Sequence, residues 1–509
     1  MKIEDMSASA IYERLKIKRQ PYIDRARDAS KLTVPQLYPE EIDDTSTQTY
    51  ATPYQSLGAR GVNNLANKII LTLFPPATAF FKLGLSPLVI QQMGKGEGEI
   101  ESAMQVLEKG IVNEMEISQL RSVLVDAIKQ DVIGGSTLIH VPDDKDPRAI
   151  PISKFVIKRS KSKEIITICI EEEVAFVELD KATQEQIEVT QDERDGKKDL
   201  KMYTLVHRTD SKRLDVIQEI KGVKIDGTKG TFLNKDLPYI FVPFVDRAED
   251  YGRSYVEDFI GDLKSYEGLR QAILEAAAES ARLLYVVRPN AVLSVDALQK
   301  AASGDVLLGN PDDVGVIQAD KRLDVQMAQA EAEVLRVDLG TIFLLDSSVR
   351  RNAERVTAEE IRRVSQELEV ALGGIYSTLA NVLQEPLVQL YMKRLIKKGM
   401  VSKELTEEIN LEVTTGSAAL GRGTEFNAIT AFSETAQAIL GEQFSTFIKI
   451  PELMNRVANS LDINTSELIK SQEELEAEAQ AAQQQQLEQQ AVAPTINAAS
   501  KQNELEQGQ

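Results

Sequence analysis

The sequence predicts a mainly helical fold with an inserted β-rich module, an α+β protein. Apolar residues recur at helical spacing along both ends of the chain, whereas short β-branched runs separated by turn signals fill about Pro142 to Pro243. Aromatic residues make up only 5% and Trp is absent, which fits a helix-rich protein better than a sandwich or barrel. A chain of 509 residues is long enough for several domains and a large core.

The first helical region extends to about His140. Ser7 or Ser9 is the expected cap of a first helix that carries Ile11, Leu15 and Ile17 or Lys18.

The segment Thr52–Leu83 is the most informative part of the chain. It predicts one amphipathic helix that stops at Pro75-Pro76, because proline has no N–H to donate and its ring clashes with the preceding turn. The aromatic pair Phe80-Phe81 follows the break. The apolar positions that define the helix are Leu57, Val62, Leu65, Ile69 and Leu73.

Two more helices and a strand complete this region. We expect a flexible joint at residues 94–98, a helix from about Glu99 to Ile117 and another from about Gln119 to Val132. Gly134-Gly135 breaks that helix and leads into a short strand, Thr137–Val141.

The β-rich module contains five expected strands. These are Phe155–Ile157, Ile165–Ile170, Tyr203–His207, Leu214–Ile220 and Tyr239–Phe244. The polar stretch Asp180–Lys201 is expected to be a surface excursion, and Cys169 a small core residue.

Long helices return after the module. Ser254 and Glu257 have capping-box spacing at the start of a helix that reaches about Leu284, roughly 45 Å at 1.5 Å per residue. Pro289 ends this region, and alternation predicts short strands or connections at Tyr285–Val287, Ala291–Leu293 and Asp305–Leu308.

A second long helix is expected from Thr357, with kinks at Gly373-Gly374 and Pro386. Shorter helices and a glycine-rich hinge, Gly416–Gly423, follow to about Leu461. Beyond Ser471 the Glu-, Gln- and Ala-rich composition predicts a frayed helix and then disorder, with a coiled coil as the weaker alternative.

Composition argues against most enzymatic chemistry. The formal charge of −20 predicts a soluble chain that repels nucleic acid on average. One cysteine and two distant histidines cannot form a Cys/His zinc site, and neither a P-loop nor a GxSxG elbow occurs. His140 and His207 are interpreted as structural, and the acidic runs, including Glu171–Glu173, as solvated loops. We therefore expect no catalytic residue, cofactor or metal, and no run approaches the ~20 apolar residues that span a membrane.

Three segments together resemble a known family. They are Leu57–Ala66 (LGARGVNNLA), Tyr251–Ser254 (YGRS) leading to Asp262–Lys264 (DLK), and Glu354–Ile361 (ERVTAEEI). In this order they are similar to the head-to-tail connector (portal) proteins of short-tailed bacteriophages, over nearly the whole chain up to about residue 425. Relatives often carry a Trp after the proline break, where this chain has Phe80-Phe81.

The resemblance implies a ring, usually of twelve subunits, at one capsid vertex in the virion, assembled in the host cytoplasm. It implies a conduit for DNA packaging and ejection, a role in starting procapsid assembly, and contacts with major capsid and scaffolding proteins, terminase, tail proteins and double-stranded DNA. The implied divisions are 1–141 N-terminal helical wing, 142–250 wing strands and clip, 251–288 stem, 289–400 wing with channel loop and kinked helix, 401–470 crown, and 471–509 disordered tail.

Basic residues near the channel are the candidate DNA contacts. Arg350, Arg351 and Arg355 precede the capped helix, and a ring would repeat each as a circle of positive charge. The alternative is that they are solvated or pair with neighbouring glutamates. Lys264 and Arg270 on the stem helix are weaker candidates, since Lys264 has i,i+3 spacing to Glu267.

Two other classes remain open from sequence. An acidic, helical internal scaffolding protein is the main alternative, although scaffolds usually lack a β-rich insertion. An enzyme with an unrecognised carboxylate site is the third.

Overall fold

The fold is taken from a computed structural model. It describes residues 3–40, 50, 52–75, 80–85, 97–247, 249–280, 284–290, 294–302, 305–317, 322–345, 358–400, 409–412, 421–448, 450, 453–454 and 456–457. The chain divides into two compact units, Met1–Gly84 with Leu107–Ser417, and Leu85–Val106 with Ala418–Gln509.

Helices dominate the described residues at both ends of the chain. They are α1 Ala8–Lys31, α2 Leu57–Leu73, α3 Glu97–Ile117, α4 Leu120–Gly134, α5 Lys181–Gln186, α6 Gln191–Arg194, α7 Ile260–Ser280, α8 Val295–Lys300, α9 Arg322–Ile342, α10 Ala358–Leu372, α11 Gly374–Lys397, α12 Gly421–Leu440 and α13 Phe444–Phe447.

The strands lie mostly in the middle. They are β1 Lys82–Leu85, β2 Ser136–His140, β3 Arg148–Pro151, β4 Phe155–Arg159, β5 Ile165–Val174, β6 Leu200–Arg208, β7 Arg213–Ile220, β8 Val223–Lys224, β9 Gly230–Leu233, β10 Tyr239–Pro243, β11 Leu284–Val287, β12 Val314–Ile317 and β13 Ile409–Glu412. An antiparallel meander β4-β5-β6-β7-β8, with β9 also on β7, forms the larger sheet. The smaller sheets are β10-β2-β3, β11-β12 and β1-β13. These findings confirm the mixed α and β composition and the five strands expected in the module.

Helix α1 is held on the larger sheet by a buried carboxylate. Ser7, one of the two residues expected to cap the helix, does so by accepting a hydrogen bond from the Ala10 N–H. Glu219 of β7, 1% exposed, accepts a second from the Ala8 N–H at 2.7 Å. A carboxylate at the positive end of a helix dipole satisfies N–H groups that have no partner within the helix. The first helix is therefore part of the sheet's core, and Cys169 is buried beneath it as expected.

Helix α2 forms the centre of the first unit. Its five predicted apolar positions are all buried, and it ends at Leu73, with Phe74 as the cap residue immediately before the proline pair. Phe80 and Phe81 return to the core as an edge-on aromatic pair, with ring centroids 5.1 Å apart. The prediction of a helix followed by an aromatic wedge is therefore confirmed.

Several local expectations were incomplete or wrong. Helix α9 was not predicted, and Asp305–Leu308 is a connection, one of the two expected alternatives. On α1, Ile17 is 77% exposed and Lys18 is also exposed, so neither continues the buried face of Ile11 and Leu15. Glu171–Glu173 lie in β5, not on a loop. Glu171 is tolerated there because its carboxylate accepts a hydrogen bond from the Tyr203 hydroxyl and pairs with Lys201.

The glycine and proline expectations had mixed outcomes. Gly373, with φ of +56°, separates α10 from α11 completely, whereas Pro386 lies inside α11. Glu97 and Gly98 lie in the first turn of α3 rather than in a joint, and Gly421 and Gly423 are helical rather than part of a hinge. Asp180–Lys201 carries two short helices over a small apolar cluster. Thr357, residues 94–96 and the tail from Ser471 lie outside the described residues.

Candidate functional site

The three strongest candidate residues lie in the segment 346–357, outside the described residues. Arg350, Arg351 and Arg355 therefore stay predictions. The structure does describe both ends of this arginine segment: residues 343–345 follow α9, and α10 begins at Ala358.

The N-terminal end of the arginine segment is fixed to α2. Phe343, which is fully buried, packs against Gly61, where an added Cβ would lie 2.5 Å from the Phe343 Cγ. The Asn64 side-chain amide donates to the carbonyls of Phe343 and Leu344, at 3.0 and 2.8 Å. Only glycine allows the ring this close, so the LGARGVNNLA motif serves as a clamp.

Lys68 connects the two ends. Its ammonium donates to the Leu344 carbonyl at 2.8 Å and lies 3.6 Å from the Glu367 carboxylate of α10. Burial lowers the pKa of Lys68, and the charge of Glu367 opposes that shift. One buried cation thus joins the residues before and after the arginine segment.

We expect Lys68→Met to loosen this clamp. Methionine keeps the apolar volume but leaves the Leu344 carbonyl and Glu367 without their cation, at a cost of about 1–3 kcal/mol. Amide exchange at residues 343–345 and along α10 should accelerate. The control is Lys18→Met, because Lys18 is an exposed lysine on α1. Equal exchange in both variants would contradict the role of Lys68.

Lys264 and Arg270 lie apart from the clamp, on α7. Lys264 is exposed and lies 3.9 Å from the Asp28 carboxylate, an ion pair worth little in water. Its expected partner Glu267 instead accepts hydrogen bonds from the backbone N–H groups of Tyr54 and Gln55, at 2.8 and 3.3 Å.

Arg270 lies in a cleft between α7, α9 and the start of α2. The cleft has a volume of about 570 Å³ and is also lined by Tyr266, Arg60 and Arg336. Arg336 is paired with Glu333 of its own helix through two hydrogen bonds, at 2.8 and 2.7 Å. Arg270 stays a predicted DNA contact, and no sequence pattern predicted its two arginine neighbours.

Helices α7 and α9 form an antiparallel pair. The Tyr255 hydroxyl, just before α7, donates to the Ile342 carbonyl at the end of α9. At the far end β11 and β12 pair antiparallel, Leu284 opposite Ile317. Leu263, Ile273, Ala332 and Leu339 are buried in this pair. We call the end of the pair at β11 and β12 its tip.

Catalytic chemistry finds no support in the part of the chain that is described. His140 stacks on Tyr239 with ring centroids 4.3 Å apart, and burial lowers the pKa of His140 to about 4. His207 pairs with Thr167 at 2.9 Å. Within the described ranges, no three His, Cys, Asp or Glu side chains are grouped to bind a metal ion. Among those residues, no helix is long and apolar enough to cross a membrane.

Sequence reasoning missed Lys68, Asn64 and Gly61 as functional residues. All three lie in or next to the motif that carried the family resemblance, and a lysine or asparagine on the apolar face of a helix is itself a signal.

Comparisons with known proteins agree with this resemblance. A family model described as bacteriophage head to tail connecting protein matches residues 6–469. The chain is 32% identical over 477 residues to a portal protein of Escherichia phage T7, covering 92% of this chain and 89% of that relative. It is 33% identical over 480 residues to a portal protein of Enterobacteria phage T3, with the same coverage. One similar solved structure is a virion of a native gene transfer agent particle, with 11% identity, a TM-score of 0.34, and coverage of 80% of this chain and 90% of that chain.

Proposed function

We infer the function from one premise: this chain belongs to the bacteriophage head to tail connecting protein family. It has a portal role in the phage virion and is a structural protein rather than an enzyme. We propose that copies of it close into a ring of twelve at one capsid vertex, through which DNA is packaged and later ejected. The observation that carries this proposal is the family match, which spans all the described elements from α1 onward.

The proposed ring divides as the sequence analysis expects, with one addition. Residues 1–141 supply the wing together with 289–400 outside α9 and the tip of the helix pair, 142–250 wing strands and clip, and 401–470 the crown. The stem of 251–288 gains α9, because α9 packs antiparallel along α7. Residues 471–509 lie outside the described residues and are assigned to none of these parts.

A conduit must contact DNA without holding it. Affinity for duplex DNA rises with the number of phosphate contacts, so a wall with few cations favours sliding. The net charge of −20 keeps the average surface repulsive, and Arg350, Arg351 and Arg355 would supply isolated positive rings. The contacts that fix both ends of the arginine segment support this role, because they would keep the arginines of all subunits at the same level along the channel axis.

Partner contacts are proposed at the tip of the helix pair. Val306 and Leu308, between α8 and β12, are 93% and 92% exposed. Exposed apolar side chains of this kind are typical of protein contacts. We assign this tip to terminase and then to tail proteins, and the wing to major capsid and scaffolding proteins during procapsid assembly in the host cytoplasm.

Electron microscopy of the purified chain tests the ring. Class averages down the axis should show a closed ring with a hole wide enough for duplex DNA. Particles that stay monomeric at micromolar concentration would contradict the proposal. The alternative of an internal scaffolding protein is less well supported, because the extensive β-sheet and the family match both favour a connector.

Arg350→Ala with Arg351→Ala should reduce DNA packaging or retention severalfold while ring assembly is kept, because two rings of phosphate contacts are lost. Packaged DNA per particle is the measurement. Lys212→Ala with Arg213→Ala is the control, because it removes two adjacent exposed cations at the start of β7, remote in sequence. Equal DNA content in both variants would remove the arginines from the channel.

A further inference from the structure

The antiparallel pair of α7 and α9 leaves two unusual helix faces uncovered. On α9, the side opposite α7 carries large apolar side chains. Leu323 and Met327 are 76% and 74% exposed, and Val334 and Val337 are 54% and 44% exposed. A helix that is apolar on opposite sides is typical of one packed between two neighbours.

The exposed face of α9 has regular spacing. Its positions are Leu323, Met327, Ala330, Val334, Val337 and Thr341, which advance by alternating steps of four and three residues. Such spacing forms a straight seam along a helix. We call these residues the large stripe.

Helix α7 carries a complementary face on its own outer side. Gly261, Ser265, Gly268 and Ala272 are all exposed and advance by the same alternating steps. An added Cβ at Gly261 or Gly268 would meet nothing within 4 Å. We call these four residues the small stripe.

We propose that the large stripe of one copy packs into the small stripe of the next copy, so that α7 and α9 alternate around the ring. The two stripes lie on opposite outer faces of one helix pair, which is the arrangement that a heterologous, closing interface requires. This inference rests on the proposed ring and assigns the residues that hold its helices together.

The chain directions make the two stripes match along their length. Within one copy α7 and α9 are antiparallel, and rotation about a ring axis keeps them antiparallel between copies. Ser265 of one copy then lies at the level of Val337 of its neighbour, and Gly268 at the level of Val334. Large side chains therefore meet positions where the other helix has almost none.

The far end of the large stripe carries its two most exposed large apolar side chains, Leu323 and Met327. Small residues let helix backbones approach closely, and larger ones then fill the remaining grooves. Met, which is unbranched and adaptable, suits the end of such a contact.

Disulfide cross-linking tests this interface directly. The chain has a single cysteine, Cys169, which is fully buried, so introduced thiols are the ones available to an oxidant. Ser265→Cys combined with Val337→Cys should give, on oxidation with copper phenanthroline, a ladder of covalent multimers on a denaturing gel. Each single variant should stay monomeric on the same gel, because Ser265 faces Val337 and not itself. Ser265→Cys combined with Asp338→Cys is the matched control, since Asp338 is exposed but lies off the stripe.

The outcomes separate this inference from the ring itself. Rings that form normally but give no ladder would overturn the stripe contact alone. Self-linking of the single Val337→Cys variant would also overturn it, since that result shows an isologous contact. Absence of rings in the unchanged chain would remove both proposals.

A second variant tests the fit without a covalent bond. Gly268→Leu adds a side chain where one copy has open space, so the folded chain should accommodate it. Helix propensity favours leucine over glycine by roughly 0.8–1 kcal/mol, so the helix itself should not be weakened. The fraction assembled into rings at a fixed concentration should fall at least tenfold. Unchanged assembly would contradict close packing at Gly268.

Discussion

Gly135→Ala should strongly destabilise the protein. We expect it to lower the free energy of unfolding by about 3 kcal/mol or more, or to prevent soluble expression. Gly135 ends α4 with φ of +77°, and an added Cβ would lie 2.6 Å from the Ser254 nitrogen and 2.7 Å from the Gly252 oxygen. Backbone atoms cannot rotate away as a side chain can, so the segment before α7 would have to move.

The contact between Gly135 and the segment before α7 also provides hydrogen-bond partners for the C-terminal end of α4. The Val132 carbonyl, which has no partner within the helix, accepts hydrogen bonds from the Ser254 hydroxyl at 2.9 Å and the Tyr255 N–H at 3.1 Å. The Gly252 N–H donates to the Ser136 hydroxyl at 2.8 Å. A displaced segment would break these bonds together.

Gly222→Ala is the matched control for Gly135→Ala. Gly222 has φ of +80°, but its added Cβ would meet nothing within 4 Å. It should cost only about 1–2 kcal/mol, the price of a left-handed conformation for alanine. The difference between the urea-denaturation midpoints of the two variants measures the cost of the steric clash at Gly135, because both variants share the cost of a positive φ. Similar midpoints would show that this contact tolerates movement.

The Gly135 corner illustrates what sequence reasoning can reach. Gly134-Gly135 was correctly predicted to end a helix and lead into a strand. The YGRS motif was correctly placed at the start of the next long helix, and the Glu257 N–H does donate to the Ser254 hydroxyl. The close backbone contact between Gly135 and Gly252 could not be predicted. The two residues are far apart in sequence, and no periodic pattern links them.

Helix α9 shows a different limit. Its two apolar stripes on opposite faces spread hydrophobic residues around the helix, so no single amphipathic face marks it. The second stripe is largely exposed in a single chain, and the proposed contact assigns it to a neighbouring copy. On that proposal, assembly accounts for part of the helical pattern.

The candidate site was only partly predictable. Arg270 was chosen for its charge, yet its neighbours Arg60 and Arg336 come from distant segments. The clamp at Lys68 was inside a recognised motif without an assigned role. From sequence, Lys68 cannot be distinguished from a lysine that only packs its aliphatic chain on the helix. Its hydrogen bond to the Leu344 carbonyl is visible only in the structure.

Asp131→Asn should stabilise the protein at neutral pH and leave it nearly unchanged near pH 4. Asp131 on α4 is fully buried, and among the described residues neither carboxylate oxygen has a hydrogen-bond partner. Burial raises the pKa of the Asp131 carboxyl well above its usual range. Asparagine has the same shape and carries no charge to desolvate.

The direction of the pH effect follows from that shift. Because the folded pKa lies above the unfolded value of about 4, the unfolded chain loses its proton first as the pH rises. The wild-type stability is therefore complete below about pH 4 and declines as the pH rises toward the folded pKa. The slope for one proton is about 1.4 kcal/mol per pH unit. The side-chain amide of the variant would not titrate, so the advantage of Asp131→Asn should widen from acid to neutral pH.

Asp126→Asn provides the control, because Asp126 is exposed on the same helix. Its stability should follow the wild type at every pH.

The surroundings of Asp131 explain why its carboxyl group is not solvated. Tyr38 covers this part of α4, and its hydroxyl donates to the Gln130 carbonyl at 3.0 Å rather than to the carboxylate. If the wild type and Asp131→Asn gave parallel pH profiles, the carboxyl would have to be ionised in the folded state, and a buried cation or water beside it would then be required.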